Sequence, residues 1–598
     1  MPFDSSRRLT GSNLFFASTG AVLETVGVEI DTTLLAGWRS RVARARAALA
    51  WPDSSQSTVS RRHAAGTSLA LTAPLDQLFT ATEVNEWAFC AALVAADPAR
   101  WNNLTDALIE AARVAAEESS MSAAFAVAPP VIDEQAAFVR FEKLAKIESS
   151  PPLRALVAAA DTRGLSYLAD DDDLTLGSGA SGRTWPLVAL PSVEQVPWSE
   201  LRNVPTAIVT GSNGKTTTVR LLAACARAHG WRDGFNCTDG LFVGGEQIER
   251  GDYSGPVGTR RVLRDTRVQA AILETARGGI LRRGLAVQRS RVAVVTNITA
   301  DHFGEYGIDD LAGLADAKLV VASTIDDSGL LVLNADDSTL RARADQFKSP
   351  IGWFSRNYDA VALLSHRMKG GSTSGVRNGR LIISWTRGGS AEELDLGAVV
   401  DMPLTVDGTA DYNVQNVAGV ALAALGLGIP AATVATVLAR FGADPTDNPG
   451  RLMRYEYRGA QVLIDYAHNP DGLRGLMNVA TRLRRTGRVA LLLGQAGNRS
   501  NADIDELAAT AARFRPDFVI VKETESYMRG RAPGEVPTLL RGALLRTGLL
   551  ETSIEVHLSE LGAVKRILEW ARPGDVLVMP VHDREVRDLV LALLGRNP

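Results

Sequence analysis

Cysteine is scarce: Cys90, Cys225 and Cys237 are the only three in 598 residues. They share no metal-ligand spacing and allow no disulfide framework, which excludes a disulfide-built secreted scaffold and suits a reducing compartment. Long apolar runs are missing as well. No stretch approaches the roughly 18 apolar residues needed to span a bilayer, so no membrane partner is expected. Neither sign of charge is in large excess, since 64 Lys and Arg face 68 Asp and Glu for a net charge of −4. That balance argues against nucleic acid as a main partner. Met1-Pro2-Phe3-Asp4 lacks a basic stretch ahead of an apolar core, so no secretory signal is expected and the expected location is cytoplasmic.

What is present is ordinary globular composition, 46% hydrophobic and 22% charged, in a chain too long for one core. Three or four domains are expected. Residues 1–150 have an α/β texture, with strand-like alternation over 21–30 and helical patterns over 33–48, 106–118 and 134–147. The alanine-rich stretch 87–96 reads as a core helix, and Pro129-Pro130 as a turn.

Residues 149–198 are short-patterned and turn-rich. Asp170-Asp171-Asp172-Asp173 reads there as a solvated turn rather than a cation site. Gly177-Ser178-Gly179-Ala180-Ser181-Gly182 is a literal G-x-G-x-x-G, but Pro186 argues against the helix a dinucleotide site needs.

Strand–helix alternation sets in from about 199. A β-rich insertion is expected over 350–405, with turns at Gly370-Gly371, Asn378-Gly379 and Gly388-Gly389, followed by a helix over 414–425. Past Pro449-Gly450, strands over 461–464, 489–493, 518–521 and 576–579 alternate with helices, indicating a separate doubly wound sheet.

The string that carries most chemistry is Thr210-Gly211-Ser212-Asn213-Gly214-Lys215-Thr216-Thr217-Thr218, set between an apolar strand and a helical pattern. A glycine-rich turn in that context aims backbone N–H groups and a helix N-terminus at phosphate. Lys215 can reach the outer phosphates and the Thr216 hydroxyl can ligate Mg²⁺. The general Walker spacing would need glycine at Val209, so this is a shorter form.

Downstream, Glu274 ends a strand, at the edge where open α/β sheets bind ligands, and a carboxylate there can hold a metal. His302 follows Thr296-Asn297-Ile298-Thr299-Ala300-Asp301 past the next strand. Lys318 lies on a helix. Asn413 and Asn416, three apart, share a helix face and can read the edge of adenine, with N-capping by Asn413 as the structural alternative. Arg451 offers fixed cationic donors, and Asp465 ends another strand.

This order of motifs resembles the Mur ligase superfamily of ATP-dependent amide-forming enzymes, and within it the C-terminal half of the cyanophycin synthetases. The strings 274–282 (E-T-A-R-G-G-I-L-R), 412–416 (Y-N-V-Q-N) and 529–534 (R-G-R-A-P-G) are similar to that group's versions of the motifs. The resemblance implies an α/β fold with a P-loop-type central parallel sheet and a C-terminal Rossmann-like domain, preceded by an α/β N-terminal domain. The implied limits are 1–150, a linker or ATP-grasp remnant over 151–198, a central ATP-binding domain over 199–447 and a C-terminal domain over 448–598.

It implies that Gly211, Ser212, Asn213, Gly214, Lys215, Thr216 and Thr217 cradle ATP, and that Thr216, Glu274 and His302 hold Mg²⁺. Lys215, Glu274, His302 and Lys318 would be catalytic, Lys318 matching a family lysine that is often carbamylated. Asn413 and Asn416 would take adenine, and Arg451 and Asp465 would be brought to ATP by the C-terminal domain.

Residues 9–14 (L-T-G-S-N-L) and 152–179 resemble the opening of the cyanophycin synthetases and the first strip of their ATP-grasp module. Trp198 then leads almost directly into the loop. That leaves no room for an ATP-grasp fold, on the order of 200 residues or more. The implied activity is therefore one ligation, joining an amino acid or similar amine to a peptide or amino-acid carboxylate. A non-catalytic ATP-binding partner or scaffold is the alternative, and self-association is compatible with either.

Overall fold

The computed structural model describes residues 2–52, 57–117, 130–300 and 303–595. Its contacts divide into two units, Met1–Trp353 with Ala423–Ile429, and Phe354–Leu422 with Pro430–Pro598. Among the described residues no helix is long and apolar enough to cross a membrane.

The first unit opens with β1 (Phe3–Leu9), β2 (Gly20–Thr25), α1 (Thr32–Ala48), β3 (Thr58–His63) and β4 (Gly66–Thr72). The strands pair antiparallel in the order β1-β2-β4-β3. Helices α2 (Leu78–Ala96), α3 (Leu104–Glu117) and α4 (Glu134–Glu148) follow. Trp38, Leu71, Phe89 and Phe141 belong to the core they share. Every residue of α2 from Leu78 to Leu93 is buried, its polar members finding partners inside, Glu83 with Arg140 and Asn85 with the Trp38 indole. The strand expected over 21–30 stops at Thr25, because Gly27 takes φ +67° and Asp31 caps α1.

The stretch 151–198, expected to be a linker or an ATP-grasp remnant, is folded. It comprises α5 (Pro151–Thr162) and an antiparallel sheet of β5 (Tyr167–Ala169), β6 (Asp173–Leu176) and β7 (Arg183–Pro186). Leu156, Leu174, Leu176 and Leu201 close a small core of its own. The Gly177–Gly182 run leads into a strand, in keeping with its rejection as a dinucleotide site. The aspartate run is not simply solvated. Arg264 pairs with Asp170 at 2.6 Å and Arg8 with Asp171 at 3.0 Å, so the run docks this small sheet onto its neighbours.

The main sheet of the first unit then assembles from β8 (Thr206–Thr210), α6 (Lys215–Ala228), β9 (Asp233–Cys237), β10 (Gly240–Val243), β11 (Glu246–Arg250) and α7 (Pro256–Arg264). It continues through β12 (Ala270–Glu274), α8 (Arg277–Arg283), β13 (Ser290–Val295), α9 (Leu311–Leu319), β14 (Ile325–Asn334), α10 (Ser338–Arg343) and β15 (Ile351–Phe354). The spatial order is β11-β10-β9-β12-β8-β13-β14-β15. β8 runs parallel to β12 and β13, with Glu274 opposite Val209 and Val295 opposite Thr210.

In the second unit α11 (Val361–Met368) precedes an antiparallel meander of β16 (Ser372–Arg377), β17 (Arg380–Arg387) and β18 (Ser390–Ala398). Asn378-Gly379 and Gly388-Gly389 make its hairpins, whereas Gly370-Gly371 ends a helix. α12 (Asp411–Leu427) and α13 (Ala431–Leu438) follow. The last sheet comprises β19 (Met453–Tyr457), β20 (Ala460–Asp465), β21 (Val489–Leu493), β22 (Phe518–Lys522), β23 (Ile554–His557) and β24 (Val576–Pro580) in the order β19-β20-β24-β21-β22-β23. It is parallel except for β19, and α14 (Pro470–Leu483), α15 (Asn501–Arg513), α16 (Glu535–Arg546), α17 (Glu560–Trp570) and α18 (Arg584–Gly595) alternate with its strands.

One buried charge cluster ties the N-terminal sheet together. Glu24 on β2 meets Arg7 at 2.6 Å, Ser68 at 2.7 Å and His63 at 3.3 Å. Burial alone would raise its pKa, but His63, Arg7 and Ser68 together hold it down at about 2. A carboxylate with a depressed folded-state pKa stabilises the fold fully above its unfolded value of 4.5, and that support is lost as pH falls toward about 2. The full effect is about 3 kcal/mol. Hydrogen exchange of β2 in wild type and Glu24→Gln should therefore differ most at neutral pH and converge below pH 4.5. A difference that does not change with pH would contradict this account.

Candidate active site

The level ends of β8, β12 and β13 bring three turns to one edge of the first unit's sheet. Gly211 and Gly214 take φ +144° and +83°, and a Cβ on Gly211 would sit 1.9 Å from Thr296 Oγ1. Glycine is required there because the loop is pressed against the turn after β13. Thr296 Oγ1 and Asn297 Nδ2 both donate to the Asn213 carbonyl, at 2.6 and 3.1 Å. The Ser212 N–H donates to the Asn297 carbonyl and the Asn213 N–H to Asn297 Oδ1, each at 2.9 Å. Ser212 Oγ accepts from the Thr299 N–H at 3.0 Å. Residues 296–299 thus brace the loop. They stand just ahead of His302 in the sequence, and their polar side chains are the signal that points to bracing.

Two ammonium groups converge on one carbonyl. Lys215 Nζ donates to Gly211 O and Ser212 O at 3.0 Å, and buried Lys318 Nζ donates to Gly211 O at 2.8 Å. α6 begins at Lys215 with no side-chain cap from Gly214, and a helix N-terminus favours an anion. The loop is therefore built for dense negative charge. Thr217 is buried in the same first turn.

Thr216 Oγ1 donates to Glu274 Oε2 at 2.8 Å, Thr238 Oγ1 to Glu274 Oε1 at 3.1 Å, and Asn236 Nδ2 to the Glu274 carbonyl at 2.9 Å. Glu274 is fully buried, with hydroxyls on both carboxylate oxygens. A hydroxyl and a carboxylate this close are a hard-oxygen donor pair that fits Mg²⁺, which keeps several waters and takes few protein ligands. Among the described residues no group of three or more His, Cys, Asp or Glu is arranged to hold a metal. His302 lies outside the described residues.

The remaining predicted residues belong to the second unit. Asn413 lies inside α12, two residues past its start, and is not its N-cap; its Nδ2 donates to the Leu404 carbonyl at 2.9 Å. Asn416 Nδ2 donates to Asn413 Oδ1 at 3.1 Å, so the two amides form one buried pair. Arg451 lies over the Tyr466 ring at 4.6 Å, and Asp465 Oδ2 accepts from the Leu452 N–H at 2.7 Å. Burial pushes the Asp465 carboxyl up, against the pull of Arg451 and three backbone N–H groups.

The sequence did not reveal a cluster at the strand ends of the second unit's last sheet. Lys522 is buried against Glu560 and lies 3.4 Å from His582 Nδ1. Burial and the Lys522 ammonium hold His582 well below its usual pKa. His582 is then neutral, with Nε2–H donating to the Ala467 carbonyl at 3.0 Å. Nearby, Arg531 joins two loops by donating to Gly497 O, Arg499 O and Asn501 Oδ1 at 3.0, 2.8 and 2.9 Å.

Residues 209–424 match the model of the Mur ligase middle domain, and residues 450–580 that of the Mur ligase glutamate ligase domain. The chain belongs to the Mur ligase family. It is 35% identical over 410 residues to the cyanophycin synthetase of Synechocystis sp., covering 68% of this chain and 46% of that one. With the cyanophycin synthetase of Trichormus variabilis it is 35% identical over 63% of this chain and 41% of that one. The UDP-N-acetylmuramoyl-L-alanyl-D-glutamate–2,6-diaminopimelate ligase of Corynebacterium efficiens is 26% identical, over 64% of this chain and 70% of that one. The chain thus spans less than half the length of the cyanophycin synthetases it matches.

In this Mur ligase family member the middle-domain match takes in the loop, Glu274, Lys318 and the Asn413–Asn416 pair, and the second match takes in Arg451 and Asp465. Gly211→Ala should force the loop off Thr296 and weaken binding of a non-hydrolysable ATP analogue about tenfold or more. Calorimetric titration measures this, and wild-type affinity in the variant would remove the loop from nucleotide binding.

Proposed function

We propose that this chain is an ATP-dependent carboxylate–amine ligase that forms one amide bond through an acyl phosphate. The observation that carries the reading is the loop itself, where the Lys215 and Lys318 ammonium groups share the Gly211 carbonyl beside the Thr216–Glu274 pair. Such a site takes a triphosphate, and the reaction uses it to activate a carboxylate.

The substrate carboxylate attacks the γ-phosphorus of ATP, giving an acyl phosphate and ADP. An amine then attacks the acyl carbon, the proton it loses passes to solvent or a nearby base, and phosphate leaves. The N-terminus of α6 and the two lysines hold the phosphates and offset charge on the transferring group, so the chain acts chiefly by positioning and electrostatics. Thr216 and Glu274 would hold Mg²⁺, which supplies further charge neutralisation on the phosphates. Carbamylation of Lys318 would exchange one of the two ammonium donors for an anionic group.

Asn416 is the amide we assign to adenine, with Asn413 orienting it through their mutual bond. Arg451, held over Tyr466, is the guanidinium we assign to the nucleotide when the C-terminal domain closes, with Asp465 organising the turn before it. The loops joined by Arg531 would receive the amine, an amino acid or similar compound, and the acceptor would be a peptide or amino-acid carboxylate. ATP as co-substrate suits a cytoplasmic reaction.

Phosphate release from ATP and Mg²⁺ with pooled amino acids and dipeptides tests this. We expect release only when an amine and a carboxylate are both present, falling about 10²-fold or more in Lys215→Ala. Release without any amine would make the chain a nucleotide hydrolase. No release with any pair would leave it an ATP-binding scaffold.

A further inference from the structure

Lys522, at the end of β22, and Glu560, at the start of α17, form an ion pair with neither side chain exposed. Taking two charges out of water costs about as much as their attraction returns, so stability alone does not account for such a pair. What the pair holds is His582. Glu560 Oε1 accepts from the His582 N–H and Oε2 from the Asp583 N–H, each at 2.9 Å, which ties the turn after β24 to α17.

The pair also decides how the imidazole is presented. Lys522 Nζ lies 3.4 Å from His582 Nδ1, and an ammonium there calls for a lone pair rather than a second N–H. The ring proton is then on Nε2, 3.0 Å from the Ala467 carbonyl oxygen. Burial first, then the Lys522 ammonium, with His468 and Arg451 adding less, holds the His582 pKa down and keeps the ring neutral. The bond to Ala467 fixes the backbone next to Tyr466.

The same imidazole meets the Tyr466 ring. Their centres are 5.4 Å apart with the planes at 87°, and the His468 ring lies 5.5 Å from Tyr466 at 61°. The Arg451 guanidinium stands 4.6 Å from the Tyr466 ring centre. Its turn is fixed separately, by the Leu452 N–H on Asp465 Oδ2 at 2.7 Å. A long side chain already placed on an aromatic face loses less freedom when it meets an anion. The direction of that face is therefore worth controlling, and His582 is the residue that joins it to the buried ion pair.

We propose that His582 is a positioning residue for Arg451: pinned by Lys522 and Glu560, it bonds the Ala467 carbonyl, packs against Tyr466, and so sets the aromatic face that presents the guanidinium to the nucleotide. The inference rests on the assignment of Arg451 to the nucleotide and adds to it a support that itself touches no ligand. Four separate stretches of the second unit, the turns after β20 and β24, the end of β22 and the start of α17, then act on one guanidinium.

Calorimetric titration of the full chain with a non-hydrolysable ATP analogue, run on wild type, Arg451→Ala, His582→Leu and the double variant, tests this. We expect Arg451→Ala to weaken binding about tenfold and His582→Leu about fivefold. The double variant should be no weaker than Arg451→Ala alone, because His582 acts only through the guanidinium. His582→Gln, which keeps an N–H for the Ala467 carbonyl, should recover part of the loss. His582→Leu binding as wild type beside a weakened Arg451→Ala, losses that multiply in the double variant, or equal losses in His582→Gln and His582→Leu each overturn the positioning role and leave Arg451 on the nucleotide. Arg451→Ala binding as wild type overturns both. Should His582→Leu lose the wild-type melting transition, the cycle run with His582→Gln decides: a loss that vanishes in the Arg451→Ala background supports the role, and no loss or a multiplying one overturns it.

Discussion

The parallel hydrogen-bond ladder that joins β8 to β12 and β13 is the constraint on which the site depends. It sets Glu274 opposite Val209 and Val295 opposite Thr210, so the three following turns emerge level at one edge. Successive side chains of a strand alternate between faces, so a slip of one residue in β12 would carry Glu274 away from Thr216. It would also break the reach of residues 296–299 to the loop. β8 and β12 are buried along their whole length and β13 from Val292 to Val295, and that burial makes the register costly to change.

The residues ahead of the main sheet are packed onto this edge. The Thr10 N–H donates to the Arg283 carbonyl and the Leu285 N–H to the Ser12 carbonyl, at 2.7 Å each. A Cβ on Gly11 would fall 2.1 Å from the Leu285 carbonyl oxygen, so only glycine allows the backbones to approach this closely. The hairpin of β3 and β4 reaches the loop after β13, where Arg61 bonds the Gly307 carbonyl and the Ala64 N–H meets Asp309 at 2.6 Å. Arg7 lies 4.5 Å from the Tyr306 ring centre, and Arg277, from the motif that follows Glu274, pairs with Glu305. These contacts couple the N-terminal sheet to both turns that flank the glycine-rich loop.

Much of the site was legible from short-range pattern. The glycine-rich loop, the strand ending at Glu274 and the helix carrying Lys318 all follow from residues a few positions apart, where periodicity and turn chemistry act. The strands β21 and β22 were legible for the same reason, as apolar runs bounded by polar turns. The start of α12 was placed late, because Asp411 and Tyr412 do not stand out against the apolar run that follows. Asn413 therefore looked like a cap when it is an interior helix residue bonded to Leu404. The small sheet of β5–β7 was missed because its strands are three or four residues long and its core draws on residues as distant as Leu156 and Leu201.

By itself the sequence determined the family: a glycine-rich loop between strand and helix, a carboxylate at a strand end and a lysine on a nearby helix, in that family's order. Tertiary structure alone decided which groups meet. It set Lys318 on the Gly211 carbonyl across 107 positions, drew Asp170 to Arg264 across 94, and enclosed a guanidinium-lined cavity from three separate stretches of chain. The reason is the range of the forces involved. Backbone propensity and turn geometry act between neighbours in sequence. Burial, ion pairing and cavity shape depend on distances in space, which only the packed fold defines.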